Sequence, residues 1–354
     1  MPILTIRRLF LLAVSFGFFS VWYFTQDGDN DLRDPFSLGS NWRVRNDAGS
    51  SGREVELSDG VMRYDITTSN AKPDLLWLLM THDSSSWGKS SSGHARSVDD
   101  LHDIIASQYD PAKVSLGLLT SSEEEYELYK RHVENSAYSR VTVFLHPGFQ
   151  DGPPVDRKHR HLRSKQYQRR SEMAKLRNFL MLKTLQEEQH MLWLDADVWH
   201  LDDGIVRRML RHSKDNKDAG ILTARCQRGN KAHSNYDLNA WRGTRKGPRG
   251  WDLTEAEIED GELEQQGQFH VSDLIEDTES DDLMPLDAIG ATLLYMRSTL
   301  ILQGLSFPHQ YTVGTRWGKD GWDGIESEGI CYRARGMKGG KCMVLGGKWH
   351  VSHE

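Results

Sequence analysis

Short apolar segments alternate with longer amphipathic ones through the middle of the chain, and this alternation restricts the fold more than any other feature. Five apolar segments have the length of buried strands: Asp74–Met80, Val114–Leu119, Val141–Leu145, Met191–Leu194 and Ala219–Thr223. Strands without a polar face, separated by helices, indicate a mostly parallel sheet that is covered on both sides. The sequence therefore predicts an α/β fold with a central, mostly parallel sheet flanked by helices.

Three of the intervening segments have helical patterns. Val98–Tyr109 is amphipathic, and Ser171–Gln189 carries its apolar residues on one face. A third helix is predicted to begin after Ser122, because Glu125 three residues later completes the pattern of a capping box. These helices are expected to cover the sheet.

The first residues predict a membrane anchor. Arg7 and Arg8 precede an apolar run at 9–24 and acidic residues follow it, a charge order that places the N-terminus in the cytosol. The run ends in aromatic residues instead of the small residues of a cleavage site, so an uncleaved signal anchor is favoured over a cleaved signal peptide. The expected organisation is a cytosolic tail at 1–8, a signal anchor at 9–24, a stem or linker at 25–70 and a lumenal domain at 71–354.

Charge and cysteine content exclude some classes of protein. The formal net charge of −7 argues against a protein that coats nucleic acid. The three cysteines include no CxxC pair, which argues against a zinc site. Cys331 and Cys342 are candidates for a disulfide in an oxidising lumen, and three packed thiols are the alternative.

Two acidic residues follow the fourth apolar segment in the sequence LWLDADV. Asp195 and Asp197 stand at the carboxyl end of the predicted strand, where open α/β sheets bind their ligands. Two neighbouring carboxylates repel each other unless a cation lies between them. Mg²⁺ or Mn²⁺ suits carboxylate ligands and also binds a diphosphate. The segment therefore predicts a DxD metal–diphosphate site at the edge of a nucleotide-binding sheet.

Two other interpretations of this segment remain open. In one, Asp197 or Asp202 caps a helix that begins near Asp203. In the other, the chain is a phosphatase that forms an aspartyl-phosphate on a DxD motif. Trp199 does not fit the residue that follows in such phosphatases, and a signal anchor does not suit them.

Six motifs occur in an order that resembles a known family. They are RRSEMAKLRNFLML, LWLDADVWHL, NYDLNAWRG, PLDAIGATLLYMRS, DGIESEG and KWH. Together, from about Pro73 to the C-terminus, they resemble the fungal Golgi mannosyltransferases of glycosyltransferase family 62, the mannan polymerase subunit family. The resemblance implies a GT-A-like nucleotide-sugar-binding fold, GDP-mannose as donor and Mn²⁺ (or Mg²⁺) as cofactor. It also implies α-mannosyl transfer with retention to a mannosyl glycan acceptor.

The resemblance also implies a setting for the chain. It predicts a type II protein of the Golgi membrane whose catalytic domain is lumenal and works in a complex with other glycosyltransferase subunits. Two alternatives stay open: a GT-A transferase for another nucleotide sugar, and a non-catalytic, membrane-anchored subunit of such a complex. The segments Trp251–Asp282 and Thr312–Gly324 are longer than the family pattern, which leaves acceptor and linkage open.

The predicted metal ligands are Asp195, Asp197 and His350. Asp197 is the best candidate, while Asp195 is expected to contact the metal, directly or through water, or the hydroxyls of the sugar or ribose. GT-A enzymes usually add a histidine close to the chain end, and His350 in KWH matches that position. His353, three residues later, is its competitor.

The remaining candidate residues come from the other motifs. Predicted donor-binding residues are Arg177, Asn178, Asp237, Asn239, Trp241 and Arg242, because guanidinium forks bind phosphate and aromatic rings and amides suit sugars. A solvated helix face is the alternative for Arg177, and a packed turn for the NYDLNAWRG motif. Predicted catalytic residues are Asp287, Glu326 and Glu328; the two glutamates have capping of a helix at Ile330–Met337 as their alternative.

Overall fold

The computed structural model describes residues 44–45, 52–67, 72–134, 136–148, 163–229, 234–243, 267–313 and 323–353. The predicted cytosolic tail and the signal anchor at 9–24 lie outside these residues. Among the described residues, none of the helices is both long enough and apolar enough to cross a membrane.

Strands and α-helices alternate along the chain from β4 (Leu75–Thr81) to β7 (His190–Leu194). The strands are β1 (Val44–Arg45), β2 (Arg53–Glu56), β3 (Met62–Thr67), β4 (Leu75–Thr81), β5 (Val114–Thr120), β6 (Arg140–Leu145), β7 (His190–Leu194), β8 (Val198–Leu201), β9 (Ile221–Thr223), β10 (Arg225–Arg228), β11 (Trp241–Gly243), β12 (Gln268–His270), β13 (Leu283–Pro285), β14 (Leu293–Arg297), β15 (Cys342–Leu345) and β16 (His350–His353). The α-helices are α1 (Val98–Gln108), α2 (Glu123–Val133), α3 (Arg163–Thr184), α4 (Ile205–Asp215), α5 (Val271–Ile275), α6 (Ser298–Leu302) and α7 (Ile330–Ala334).

Most of the strands form one large sheet, in the order β1-β2-β3-β6-β5-β4-β7-β14-β9-β15-β13. Its centre, β6-β5-β4-β7, is parallel throughout, while β14 on one side and β3 on the other are antiparallel to their neighbours in this centre. The predicted α/β fold with a central parallel sheet is confirmed. The antiparallel strands toward the two edges were not predicted.

Alternating side chains of β4 explain why this strand lies at the centre of the sheet. Leu75, Trp77 and Leu79 belong to one hydrophobic cluster, and Leu76 and Leu78 belong to a second. Successive side chains of a strand point to opposite faces, so a strand that is apolar throughout is stable only where both faces are covered. Full burial of each such side chain stabilises the fold by about 1.5–3 kcal/mol.

The predicted stem ends earlier than expected. The sequence analysis placed residues up to 70 in the stem, but β2 and β3 pair with each other and β3 pairs with β6. Val55, Tyr64 and Ile66 are buried in this pairing. These short strands bury one face only, and their polar alternate residues hide the strand signal in the sequence.

The parallel strands bring polar residues together at one edge of the sheet. β4, β5 and β7 end at Thr81, Thr120 and Leu194, and the carboxyl ends of parallel strands share an edge. Just beyond them, His82 Nδ1 lies 2.6 Å from Ser121 Oγ. Asp195 follows β7 at the same edge. The DxD segment therefore lies where α/β sheets bind their ligands.

A smaller sheet carries the last described residues to this region. In it, β16 lies between β10, which is parallel to it, and β8, which is antiparallel. The register pairs Val351 with Leu201 and His353 with Val198, and it is irregular between Ser352 and His353. Because β8 begins at Val198, this pairing places His353 beside the DxD segment.

A disulfide joins Cys331 in α7 to Cys342 in β15. Cys226 is a buried free thiol. Of the two alternatives for the cysteines, the structure has the disulfide.

Candidate active site

A tight turn brings the two DxD carboxylates together. The Val198 N–H donates to the Asp195 carbonyl at 3.2 Å, so Asp195–Val198 is a turn, where the sequence predicted only the carboxyl end of a strand. Ala196 between the two acids is buried, while the side chains of Asp195 and Asp197 are 35% and 33% exposed. Both carboxylates are therefore open to a ligand at the sheet edge.

Arg96 holds this turn from the other side. Its Nη1 donates to the Ala196 carbonyl at 2.7 Å and to the Trp87 carbonyl at 3.2 Å. Burial lowers the pKa of Arg96, and the nearby carboxylates Asp100 and Asp197 oppose that shift. Sequence reasoning missed this residue because it lies in a Ser/Gly-rich segment that shows no periodicity; the buried Trp87 in that segment was the available signal.

Arg177 is buried between two carboxylates. Its Nη2 donates to Asp195 Oδ1 at 3.0 Å, and its Nε lies 2.9 Å from Glu326 Oε1. The guanidinium also lies over the rings of Trp193 and Phe307, at 5.0 Å and 5.6 Å from their centroids. Burial alone lowers the pKa of Arg177, but Glu326 and Asp195 hold it above its usual value. The alternative of a solvated helix face is therefore wrong, and in this structure the partners of Arg177 are carboxylates.

Acidic groups outnumber the cation in this cluster. Burial raises the pKa of Asp195 to about 6; Arg177 opposes the shift, and the neighbouring negative charges of Asp197 and Glu326 add to it. A site with this surplus of negative charge favours either protonation or a bound cation. This is the electrostatic arrangement that the DxD prediction requires.

His353, and not His350, is the histidine beside the DxD motif. His353 Nε2 lies 2.7 Å from Asp197 Oδ2. The ring of Tyr236 stacks on that of His353 with 3.8 Å between centroids and 22° between planes, which orients the imidazole. The structure pairs Asp197 with His353 and not with His350, whose Nδ1 lies 2.9 Å from Asp202 Oδ2. A role of His350 as a metal ligand stays a prediction.

Asp237 is the one member of the NYDLNAWRG motif that interacts with this acidic cluster through its side chain. It accepts hydrogen bonds from the Asn239 N–H and from Thr292 Oγ1, both at 3.1 Å. Burial raises the pKa of Asp237, these hydrogen bonds lower it, and the charge of Glu326 raises it again. The structure therefore places Asp237 near the acidic cluster, and its predicted contact with the donor stays a prediction.

Gly290 explains the small residues after Asp287. A Cβ on Gly290 would lie 1.5 Å from Asp237 Oδ2. The group that needs the space is thus the Asp237 carboxylate.

We expect Gly290→Ala to displace Asp237 and to lower the free energy of unfolding by about 1–3 kcal/mol, because an added methyl group overpacks the site. Urea denaturation measures this loss. Gly336→Ala is the matched control, because its added Cβ meets nothing within 4 Å, and we expect the control to unfold as the wild type does. Equal stability of the two variants would contradict the close contact with Asp237.

The two predicted catalytic glutamates have different environments. Glu326 contacts Arg177, and its backbone is in the left-handed region at a φ of 58°, which is a strained conformation for a residue other than glycine. Glu328 has no exposed surface: its carboxylate accepts from Arg170 Nη1 at 3.0 Å and from Trp241 Nε1 at 3.3 Å. In this structure the Glu328 carboxylate is enclosed by Arg170 and Trp241, so of the two glutamates Glu326 is the better candidate for the predicted catalytic role.

Three other predicted residues are engaged elsewhere. Trp241 is fully buried, so its predicted stacking on a sugar is wrong and the alternative of a packed residue holds. The Asn178 amide donates to the Phe307 carbonyl at 2.7 Å and accepts from the Phe307 N–H at 2.8 Å, so it positions Phe307 and is not a donor ligand. Asp287 accepts from Arg335 Nη2 at 3.1 Å and from the Gly243 N–H at 2.9 Å, and these contacts do not join it to the DxD cluster.

Asn239 and Arg242 contribute less to the described site. Asn239 acts through its backbone N–H on Asp237, and Arg242 lies exposed on β11. Their predicted contacts with a donor remain predictions. Arg170 neutralises Glu328 and also donates to the Ile325 carbonyl at 3.0 Å; it stands in the motif RRSEMAKLRNFLML but was not among the predicted site residues.

Comparisons with known proteins found a matching family, a relative and a solved structure. The model of the Anp1 family matches residues 66–311. The mannan polymerase complex subunit mnn9 of Schizosaccharomyces pombe is 28% identical over 156 residues, which are 42% of this chain and 44% of that protein. The match thus spans less than half of that relative. The mannosyltransferase PcManGT from Pyrobaculum calidifontis, in complex with GDP-Man and Mn²⁺, aligns with a TM-score of 0.45 and 11% identity over 80% of this chain and 57% of that chain.

Proposed function

The chain belongs to the Anp1 family, and we propose that it is a metal-dependent, retaining α-mannosyltransferase that takes mannose from GDP-mannose. The observation that carries this proposal is the pair of Asp197 and His353 beside Asp195, at the carboxyl edge of the parallel strands. A family match alone would leave open whether the site is intact. The contact of 2.7 Å between a DxD carboxylate and an oriented histidine supports an active site.

The residues fit a divalent ion. Asp195, Asp197 and His353 would hold it, because two partly exposed carboxylates and one imidazole are a suitable ligand set for Mn²⁺. The surplus of acidic groups around Arg177 is the feature of this structure that calls for a cation. When bound, Mn²⁺ (or Mg²⁺) supplies Lewis-acid stabilisation of the charge on the departing diphosphate.

The protein's own residues prepare this geometry. Arg177 binds one oxygen of Asp195 and leaves the other oxygen for a ligand, while Arg96 fixes the backbone between the two acids. Tyr236 holds the ring plane of His353. Since these contacts are preformed, the ligands need little reorganisation when the nucleotide sugar binds.

The nucleotide and the mannosyl group of GDP-mannose each have a candidate binding surface. We propose that the nucleotide lies over His82 and Ser121, at the carboxyl ends of β4 and β5. The mannosyl group would then lie toward Asp237 and Glu326, whose negative charges stabilise an oxocarbenium-like centre. The acceptor hydroxyl of a mannosyl glycan attacks that centre.

The wider setting is part of the proposal. We propose a Golgi membrane location with residues 9–24 as the signal anchor, and assembly with other glycosyltransferase subunits. The S. pombe relative is named as a subunit of a mannan polymerase complex, and this name supports assembly. A transferase for a different nucleotide sugar remains the alternative, and donor screening of the full chain separates it from the proposal.

The terminal histidines provide a test. His353→Ala is expected to lower the rate of mannosyl transfer from GDP-mannose about 100-fold, because it removes a ligand and the partner of Asp197. His350→Ala is the matched variant on the same strand, and we expect it to lower the rate less than about fivefold. The measurement is radiolabelled transfer to a mannosyl acceptor with saturating Mn²⁺. A larger loss in His350→Ala than in His353→Ala would overturn the assignment.

A further inference from the structure

A second group of metal-ligating side chains lies on the three-stranded sheet, apart from the Asp197–His353 pair. We propose that His200, Asp202 and His350 bind a divalent transition-metal ion, with Zn²⁺ as the best fit. This site is defined by its own contacts, so the inference holds whether or not the chain transfers mannose.

The register of β8 and β16 places the three residues on one face. Val351 pairs with Leu201 and Ser352 with His200, and the Asp202 N–H donates to the His350 carbonyl at 3.2 Å. His350 of β16 therefore lies opposite Asp202, the residue that follows β8. His200 is two residues before Asp202, and alternate residues of a strand share a face.

Both histidines point to the same carboxylate. His350 Nδ1 lies 2.9 Å from Asp202 Oδ2, and His200 Nε2 lies 3.4 Å from Asp202 Oδ1. One ligand atom from each residue can be chosen so that all lie within 4.8 Å of one another. Ligand atoms of a tetrahedral zinc site are about 3.3 Å apart, as bond lengths of about 2.0–2.2 Å require.

The ligand set selects the type of ion. Two imidazoles and one carboxylate suit Zn²⁺ better than Mg²⁺ or Ca²⁺, which prefer oxygen ligands alone. The side chains of Asp202 and His350 are 22% and 23% exposed and that of His200 is 43% exposed, so water can reach an ion there. Three protein ligands and an accessible fourth position form an open zinc site.

Backbone contacts hold the carboxylate in place. The His350 N–H donates to Asp202 Oδ2 at 2.8 Å, which is the kind of outer hydrogen bond that orients a metal ligand. Arg225 opposes metal binding. It pairs with His350 in the register of β10 and β16, and its positive charge repels a cation. Arg225→Gln should therefore tighten Zn²⁺ binding.

The position of the site indicates what the ion does. His350 is the first residue of β16 and His353 is the last. Asp202 lies in the short segment between β8 and α4. An ion at the site would link β16, which carries His353, to the end of β8, which follows the DxD turn. We infer that it stabilises the active-site histidine from a distance.

The test measures Zn²⁺ binding to the full chain by isothermal titration after removal of metal with a chelator. All variants carry Asp197→Asn, which removes a ligand of the neighbouring site. We expect one equivalent of Zn²⁺ in this background and a dissociation constant at least about 30-fold weaker when His200→Ala is added. His132→Ala is the matched control, because His132 Nδ1 also lies close to a carboxylate, at 2.8 Å from Asp99, and it should leave binding unchanged.

A second readout is independent of affinity. Co²⁺ at the site is expected to give the visible absorption of a tetrahedral ion, and this absorption should be lost on addition of His200→Ala. Circular dichroism of the metal-free forms checks that each variant folds, which the exposure of His200 favours. Binding of Zn²⁺ with equal affinity with and without His200 would overturn the proposal, as would no binding in the Asp197→Asn background. Neither outcome depends on mannosyl transfer, so the proposed function is judged separately.

Discussion

Replacement of Asp197 by asparagine is expected to lower kcat/KM for mannosyl transfer from GDP-mannose about a thousandfold, which corresponds to about 4 kcal/mol of transition-state stabilisation. The substitution keeps the size of the side chain but removes its charge. It therefore removes both a ligand of the proposed ion and the partner of His353, which lies 2.7 Å away. Steady-state kinetics with and without Mn²⁺ measure the loss.

A measurement of folding stability serves as the control for this variant. The Asp197 side chain is one-third exposed and its ion contact is with His353, whereas Asp195 pairs with the buried Arg177 that also contacts Glu326. We thus expect the thermal unfolding of Asp197→Asn to match that of the wild type within about 0.5 kcal/mol, as for an exposed substitution. Activity within tenfold of the wild type would mean that the transferase site lies elsewhere.

Replacement of Arg177 by methionine is expected to have the largest effect on stability. Loss of the guanidinium leaves the buried Glu326 and the partly buried Asp195 without their shared counterion. Removal of one partner of a buried ion pair costs about 3–5 kcal/mol. Because Asp195 is 35% exposed and partly solvated, we expect a value near the lower end, about 3 kcal/mol.

Urea denaturation of Arg177→Met and Arg177→Lys separates charge from geometry. Lysine keeps one positive charge but cannot contact Asp195 and Glu326 from two positions of a planar group, so its expected loss is about half as large. The methionine variant should regain stability at low pH, because protonation of Asp195, whose pKa burial raises, removes one of the two uncompensated negative charges. A loss below about 1 kcal/mol in Arg177→Met at neutral pH would show that the acidic cluster is neutralised in another way.

Much of the large sheet was predictable from local pattern. The segments DLLWLLM, VSLGLL and VTVFL became β4, β5 and β6 within one residue of the expected bounds, because strands buried on both faces are apolar at every position. The N-cap at Ser122 was also predicted, and its side chain accepts from the Glu125 N–H at 3.3 Å. Helix α3 begins at Arg163 and not at Ser171, because polar residues conceal its first turns.

Residue types in the site were predicted better than residue roles. Asp195, Asp197, Arg177, Asp237 and Glu326 are brought together as expected. Trp241 and Glu328 belong to the same motifs but bond to each other, at 3.3 Å, in the interior. A sequence motif indicates which residues lie close together in the fold. Burial decides which of these residues can contact a ligand.

The sequence by itself determined the alternation of strands and helices from β4 to β7, the acidic residues that follow β7, and the family. These features depend on contacts between residues close in the chain, where the two-residue period of a strand and the three-to-four-residue period of a helix operate. Only the tertiary structure decided that His353 meets Asp197 and that His350 meets Asp202. That choice depends on the register of β16 against β8, with an irregularity before His353, and no local pattern encodes the register between strands so distant in sequence.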